Sequence, residues 1–331
     1  MRALSLVCLM LAITPVASVR ADDAAACLTD DVLGIERIVE IDTAGGPEFG
    51  TTRSGGYDFL SEGEVVLTFD DGPSRAHTRS VLNALKRHCT KATFFMVGRM
   101  AAADPAMVQE VANAGHTVAA HTFSHARIPD LSSQALKEEI ELGFSAVSMA
   151  LGAPAAPFFR YPYLAASGRA DAYMRERNIS SFTIDVDSRD FRTRDGVAVK
   201  RTVLAQLANK RKGILLFHDI QPSTANSLDD LLTALKEHGY KVVHIVPVEP
   251  IATVAAYDTK ASRLVARRKQ IVAEEPLANR SLTWSQSTSV DEREILPWTP
   301  RITPAVSDPH SPSVTSNQES AVPWYQKWLF P

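Results

Sequence analysis

Cysteine, dense positive charge and long apolar runs are all scarce in this chain of 331 residues. It has three cysteines and a formal net charge of -3, and no patch of Lys and Arg is interleaved with aromatic residues. A nucleic-acid partner is therefore not expected. Beyond the N-terminal leader no apolar run is long enough to span a bilayer, so firm membrane association is not expected either.

The first 21 residues have the pattern of a secretory signal peptide. Arg2 supplies a positive start, an apolar run follows over residues 3–17, and small residues offer a cleavage site before Asp22. A membrane anchor is the alternative, but the run is short and Pro15 interrupts it. We therefore expect a cleaved leader and a secreted or periplasmic protein.

Two cysteines remain once the leader is removed. Cleavage takes Cys8 away and leaves Cys27 and Cys89. An even pair in an exported chain is a disulfide candidate, and closing so long a loop would stabilise the fold by about 4 kcal/mol on the chain-entropy model. The alternative is two unpaired, buried thiols. We favour the disulfide.

The mature chain is expected to have three parts. Residues 22–63 form a turn-rich lead-in segment that packs on the main domain, and residues 64–250 form that domain. Residues 251–331 form a C-terminal extension, largely a tail rich in Pro, Ser and Thr that we expect to be disordered.

Short apolar runs alternate with amphipathic helical patterns through the main domain. This alternation predicts an α/β fold with a parallel sheet and helical crossovers, and roughly seven units favour a barrel without excluding an open sheet. After a first strand that ends at Asp70, strands are predicted at residues 91–97, 116–120, 157–161, 180–186, 213–217 and 241–246. Helices are predicted at residues 78–88, 105–115, 133–151, 168–177, 197–209 and 228–238.

Polar side chains gather where these strands end, which is the edge that carries function in parallel β/α folds. The first strand ends in Asp70-Asp71, and an acidic turn is the simplest interpretation. Adjacent residues on a strand point to opposite sides, so the two carboxylates should not share one role.

His121 and His125 are four residues apart, so one helical turn, or a loop folded like one, lets both imidazoles face one point. Two imidazoles and one carboxylate suit Zn²⁺ with room for a water. Two surface histidines are the alternative. The nearby carboxylate pair favours the metal.

His218 and Arg160 each follow apolar strand residues. Taken alone, His218 could be a hydrogen-bonded core histidine, and Arg160 could belong to a buried ion pair. Placed together at one barrel face with the metal ligands, they complete the groups that metal-assisted hydrolysis needs.

Five motifs occur in a fixed order and resemble those of the polysaccharide deacetylases, the NodB-homology enzymes of carbohydrate esterase family 4. The resemblance covers about residues 64–246 and implies a distorted (β/α) barrel and metal-dependent removal of N-acetyl groups from amino sugars. The motifs are Thr68-Phe69-Asp70-Asp71-Gly72-Pro73, His121-Thr122-Phe123-Ser124-His125, Arg160-Tyr161-Pro162-Tyr163, Asp187-Ser188-Arg189-Asp190-Phe191 and Leu216-Phe217-His218-Asp219.

The resemblance also implies roles for single residues. Asp71, His121 and His125 would bind the metal, usually Zn²⁺, although another divalent transition metal is possible. Asp70 would be the general base and His218 the general acid.

Three further positions are assigned from the same motifs. Arg160 would orient Asp70, and Asp187 would support His218, with Asp190 as the alternative. Phe191 stands where the family often has Trp, which leaves an apolar groove wall without an indole.

Substrate contacts are also expected, from Tyr161, Tyr163, Phe191 and Leu216. The function expected is N-deacetylation of a polysaccharide: peptidoglycan, a chitin oligomer or poly-N-acetylglucosamine. A same-fold esterase or amidase on another acetylated carbohydrate, such as acetylated xylan, is the closest alternative. A non-catalytic carbohydrate-binding protein is another, and a two-carboxylate glycosidase would not need the histidine pair.

Overall fold

Parallel strands with helical crossovers make up most of the chain that the computed structural model describes, which is residue 27, residues 32–53 and residues 56–274, with side chains up to residue 266. The predicted signal peptide and C-terminal tail lie outside these residues. The elements are β1 (Arg37–Ile41), β2 (Glu48–Phe49), β3 (Glu64–Asp70), α1 (Arg75–Arg87), β4 (Thr93–Met96), α2 (Gly98–Ala103), α3 (Pro105–Asn113), β5 (Thr117–Ala120), α4 (Ser133–Leu151), β6 (Phe158–Phe159), α5 (Gly168–Arg177), β7 (Ser180–Phe182), β8 (Val186–Asp187), α6 (Gly196–Lys210), β9 (Gly213–His218), α7 (Pro222–Glu237), β10 (Lys241–Pro247) and α8 (Ala255–Glu274).

Seven of these strands form a distorted barrel in the order β8-β9-β3-β4-β5-β6-β7, and every pairing is parallel. Within the described residues no pairing joins β7 to β8, so the barrel is open at that point. Outside the ring, β10 pairs with the start of β3, β1 with β10 and β2 with β7. The prediction of an α/β barrel of about seven strands is confirmed.

Successive side chains of the central strand β3 point alternately into two layers of the core. Val65, Leu67 and Phe69 belong to the large cluster that packs against the helices. Val66 belongs to a second cluster with Phe95, Phe158, Phe182 and Ile214, which fills the space enclosed by the strands. Thr68 and Asp70 share the face of Val66, so the same alternation aims Asp70 into the barrel.

The lead-in segment fills the opening of the barrel. Thr183 N–H donates to the Phe49 carbonyl at 2.8 Å, and Thr51 N–H donates to the Asp185 carboxylate at 2.9 Å. The hydroxyl of Thr52 donates to the carbonyl of Ile184. The contacts to Thr183 N–H and to the Ile184 carbonyl take up backbone groups that a continuous strand would pair. The prediction of one strand over residues 180–186 is therefore wrong, because the stretch is divided into β7 and β8.

Among the helices that begin at a side-chain cap are α3 and α4. The Asp104 carboxylate accepts from Met107 N–H with Pro105 in the first turn, and Ser132 Oγ accepts from Ala135 N–H. Helix α7 begins six residues earlier than predicted, at Pro222, because Pro is well suited to a first helical position. No described helix combines the length and the apolarity needed to cross a membrane.

Cys27 and Cys89 meet in the structure. The sulfurs of Cys27 and Cys89 are bonded and their Cα atoms lie 5.5 Å apart. The bond ties the start of the lead-in segment to Cys89, the second residue after α1, which has φ 52°. It spans a sequence separation of 62 residues, a loop long enough for the cross-link to restrict the unfolded chain strongly.

We expect alkylation without a reductant to add no mass to the purified exported protein, and two adducts to appear after denaturation and reduction. Because the cross-link limits the unfolded ensemble, Cys27→Ser/Cys89→Ser should lower the free energy of unfolding by about 4 kcal/mol. Mass spectrometry and urea unfolding check the two points. Two adducts on the denatured protein before reduction would show that the bond does not form.

Candidate active site

The end of β3 brings two adjacent carboxylates to one site. Asp70 is the last residue of β3 and is opposite His218 in the pairing with β9. Asp71 lies beyond the strand in the left-handed region at φ 77°, followed by a cis Gly72–Pro73 peptide. His121 Nε2 lies 3.9 Å from an Asp70 oxygen and 3.5 Å from Asp71 Oδ1. The turn at Asp71 ends the strand alternation, and both carboxylates reach the same imidazole.

Glycine is required after this carboxylate pair because the chain there passes directly over Asp219. A Cβ atom added to Gly72 would lie 2.2 Å from Asp219 Oδ2. Asp219 is fully buried and accepts a hydrogen bond from Thr78 in the first turn of α1. Burial raises the pKa of Asp219 to about 7, against the opposing effect of the Thr78 hydroxyl. Asp219 was not singled out from the sequence.

Asp71, His121 and His125 converge as a group of three potential metal ligands. Asp71 Oδ1 lies 3.1 Å from His125 Nε2 and 3.5 Å from His121 Nε2, and the ligand atoms of all three lie within 4.8 Å of one another. Asp71 Oδ1 is buried and has no hydrogen-bond partner among the described residues. A buried carboxylate oxygen facing two imidazole nitrogens fits a divalent cation that accepts nitrogen and oxygen ligands, as Zn²⁺ does.

The protonation of the ligands suits a metal. His121 Nδ1 donates to the Arg160 carbonyl at 2.7 Å, which leaves the lone pair of Nε2 directed at Asp71. Burial lowers the pKa of His121 to about 4, so its imidazole is neutral at pH 7. Burial opposes ionisation of Asp71, but the adjacent His125, His218 and His121 outweigh it and hold the pKa of Asp71 well below its usual range.

The two histidines are held by a tight loop and not by a helical turn. Thr122 and His125 both have positive φ, 61° and 66°. The Thr122 hydroxyl accepts from His125 N–H at 2.9 Å and closes the loop. The imidazole centroids lie 5.0 Å apart.

Arg160 is the largest fully buried side chain of the described residues, and it contacts Asp70 directly. Its Nη1 donates to Asp70 Oδ1 at 2.7 Å and to Thr68 Oγ1 at 2.8 Å. Its Nε donates to the Phe182 carbonyl at 3.2 Å, and its guanidinium lies 4.3 Å from the Phe95 ring centroid. The sequence-based pairing of Arg160 with Asp70 therefore has the geometry of a buried, charge-assisted hydrogen bond.

The partner of His218 is Asp190, and the preference for Asp187 was wrong. His218 Nδ1 lies 2.6 Å from Asp190 Oδ1, and His218 N–H donates to Asp190 Oδ2 at 2.7 Å. Asp187 instead accepts from the backbone N–H of Arg189. The chain reverses at Arg189, which has φ 54°, and this turn directs Asp190 at the histidine.

The Asp190 contact keeps the imidazole of His218 charged. Burial disfavours the charge, but Asp190 outweighs it through charge attraction and the hydrogen bond, and together with Asp71 and Asp70 it raises the pKa of His218 to about 10. The Nδ1 proton is committed to Asp190, so Nε2 is the nitrogen available to a substrate.

Two exposed aromatic rings border the site. Tyr163, 56 % exposed, lies edge-on to His125 at a centroid distance of 4.7 Å. Phe191, 49 % exposed, lies edge-on to His218 at 5.6 Å. Leu216 is 6 % exposed and pairs with Thr68 in the register of β9, two residue pairs below Asp70 and His218. These three positions are compatible with the substrate contacts expected of them.

Tyr161 does not take the position expected of a substrate contact. Its side chain is buried, its hydroxyl donates to Asp171 at 3.0 Å, and its ring packs on Phe159. Alternation along this segment explains the difference, because Arg160 points into the barrel and Tyr161 points to the helix layer.

Other supporting residues gave no recognisable sequence signal. Thr224, in the first turn of α7, donates to Asp190 Oδ2. Glu139, in α4, accepts two hydrogen bonds from Ser124, which lies in the loop between His121 and His125. Both act across long sequence separations, and each is an ordinary polar residue in an amphipathic helix.

Comparison with known proteins adds independent findings. The family described as "Polysaccharide deacetylase" matches residues 60–181. The peptidoglycan-N-acetylglucosamine deacetylase PgdA of Listeria monocytogenes is 36 % identical over 185 residues, which are 55 % of this chain and 38 % of that protein. This chain therefore spans less than half the length of the Listeria protein.

Two further relatives are matched over more of their length. The chitooligosaccharide deacetylase of a Bradyrhizobium species is 30 % identical over 216 residues, covering 61 % of this chain and 96 % of that protein. A solved peptidoglycan deacetylase from Bdellovibrio bacteriovorus superposes with a TM-score of 0.60 at 31 % identity, covering 67 % of this chain and 61 % of that chain. With its fold, its ordered motifs and these relatives, the chain belongs to the polysaccharide deacetylase family, carbohydrate esterase family 4.

Proposed function

We propose that this protein is a metal-dependent hydrolase that removes N-acetyl groups from amino sugars of a polysaccharide, with peptidoglycan, chitin oligomers and poly-N-acetylglucosamine as the candidate polymers. The observation that carries the proposal is the placement of Asp70 and His218 around the group formed by Asp71, His121 and His125. Deacetylation needs a proton acceptor and a proton donor beside an electrophilic centre, and this site offers both.

Asp71, His121 and His125 would hold the ion, with Zn²⁺ favoured. When bound, such an ion acidifies a water molecule and polarises the acetyl carbonyl. Asp70 then takes the proton of the attacking water. Its Oδ1 is held by Arg160, while Oδ2 lies on the side of His121. Arg160 keeps this carboxylate in one orientation.

His218 protonates the departing amine. An amine leaves poorly unless it gains a proton, and the charged imidazole held by Asp190 presents Nε2 to the site. Tyr163 and Phe191 would contact the sugar rings on the metal side and the His218 side respectively. The signal-peptide pattern and the Cys27–Cys89 pair support action outside the cytoplasm.

Acetate release tests the proposed activity. Purified protein should release acetate from at least one of peptidoglycan, chitin oligomers and poly-N-acetylglucosamine, and a chelator should abolish release until Zn²⁺ is restored. Asp70→Asn keeps an acceptor for Arg160 but removes the base, so acetate release should fall by about 10²- to 10⁴-fold.

An acetylated xylan serves as the contrasting substrate in that panel. Release from xylan alone would favour the esterase alternative. No release from any substrate, or release that survives both chelation and Asp70→Asn, would contradict the proposal.

The charge of His218 is expected to depend on Asp190. Removing a negative partner lowers the pKa of an imidazole, so Asp190→Asn should bring the pKa of His218 down from about 10 towards about 6.5. His218 in the variant would lose its proton at a lower pH, and the alkaline limit of activity should move down with it. Imidazole NMR and a pH–rate profile measure the two effects.

Asp187→Asn is the matched control, because this carboxylate accepts from a backbone N–H and not from the imidazole. It should leave the pKa of His218 in place. A larger shift in Asp187→Asn than in Asp190→Asn would reverse the assignment of the two aspartates.

A further inference from the structure

We propose that Glu139 is a positioning residue for the metal site, which it controls by fixing the loop that carries His121 and His125. The inference rests on the metal site of the proposed function but not on its substrate. Glu139 lies in α4, outside every motif that resembles the family pattern. Both its carboxylate and its backbone carbonyl accept hydrogen bonds from the loop between the two histidines.

Three hydrogen bonds connect Glu139 to the loop. Glu139 Oε2 accepts from Ser124 N–H at 2.8 Å, and Oε1 accepts from Ser124 Oγ at 2.8 Å. The Glu139 carbonyl accepts from Phe123 N–H at 2.9 Å. With the bond from His125 N–H to Thr122 Oγ1, every backbone N–H from residue 123 to residue 125 has an acceptor.

The opposite side of the loop is held by α2. Gly98 N–H donates to the Thr122 carbonyl, and Arg99 N–H donates to the Phe123 carbonyl, both at 2.9 Å. Helix α4 approaches so closely that a Cβ on Gly143 would lie 2.7 Å from the Thr122 carbonyl carbon. The loop is therefore clamped between two helices, and Glu139 supplies its only side-chain clamp from α4 among the described hydrogen bonds.

The loop needs such a clamp because its backbone is unfavourable by itself. Thr122 and His125 have positive φ, a backbone region that is unfavourable for residues other than glycine. Without the acceptors of Glu139 the loop can relax from this conformation. His121 and His125 would then no longer be held with both Nε2 atoms directed at Asp71. Groups that orient metal ligands typically change metal affinity by about 10- to 100-fold when removed.

The test measures metal affinity and geometry and does not depend on turnover. Glu139→Ala should weaken Zn²⁺ binding by about 10- to 100-fold in competition with a chromophoric chelator, and should change the visible spectrum of the Co²⁺-loaded protein. Glu139→Gln should restore both, because its carbonyl can accept from Ser124 N–H and its amide can donate to Ser124 Oγ.

Glu138→Ala is the matched control on the same helix. The Glu138 side chain is 39 % exposed and pairs with Lys260 on the surface, away from the loop. It should leave Zn²⁺ affinity and the Co²⁺ spectrum unchanged. Thermal unfolding of each metal-free variant reports any general loss of stability.

The outcomes separate the inference from the function on which it builds. If Glu139→Ala keeps wild-type affinity and spectrum, or if Glu139→Gln fails to restore them, Glu139 is not a positioning residue. If the wild-type protein itself binds no Zn²⁺ or Co²⁺, the proposed metal site fails first. Weakened binding in Glu139→Ala with recovery in Glu139→Gln supports the inference whether or not an acetylated substrate has been found.

Discussion

A positive charge buried inside the barrel constrains the whole site. Arg160 is fully buried, and a charge in that position is tolerable only with close partners, since desolvation of one ion costs several kcal/mol. Its partners come from β3 and from the end of β7 with the residue that follows it: Asp70, Thr68 and the carbonyls of Phe182 and Thr183. The same ion pair that satisfies Arg160 fixes Asp70, and the Arg160 carbonyl fixes His121.

The two sides of the site differ in the charge of their histidines. On one side, neutral His121 faces Asp71, whose carboxylate stays ionised beside the imidazoles. On the other side, His218 carries a proton that Asp190 stabilises. Asp70 lies between them at the end of β3, opposite His218 in the strand register. Hydrolysis of an amide requires a base that takes a proton from the attacking water and an acid that protonates the departing amine.

The sequence predicted what depends on local pattern. Parallel strands, the helix that begins after Asp104 and the gathering of polar residues at strand ends all follow from periodicity, capping and topology. The direction of a side chain beyond the end of a strand could not be predicted from these patterns. Asp71 turns into the same site as Asp70 because it has left the strand with positive φ, and Asp190 replaces Asp187 beside His218 because the chain reverses at Arg189. Glu139 and Thr224 reach the site from helices, where nothing in one sequence distinguishes them from surface residues.

In the proposed function the two adjacent carboxylates have separate roles: Asp71 binds the metal, and Asp70 takes a proton from the attacking water. The metal content of single variants tests this separation. Asp70→Asn and Asp71→Asn are isosteric changes at neighbouring positions, so both proteins can be purified, loaded with Zn²⁺, dialysed and assayed for bound metal per chain. We expect Asp70→Asn to retain the metal of the wild-type protein while losing acetate release, and Asp71→Asn to lose both. Equal metal loss in the two variants, or loss in Asp70→Asn alone, would contradict this separation.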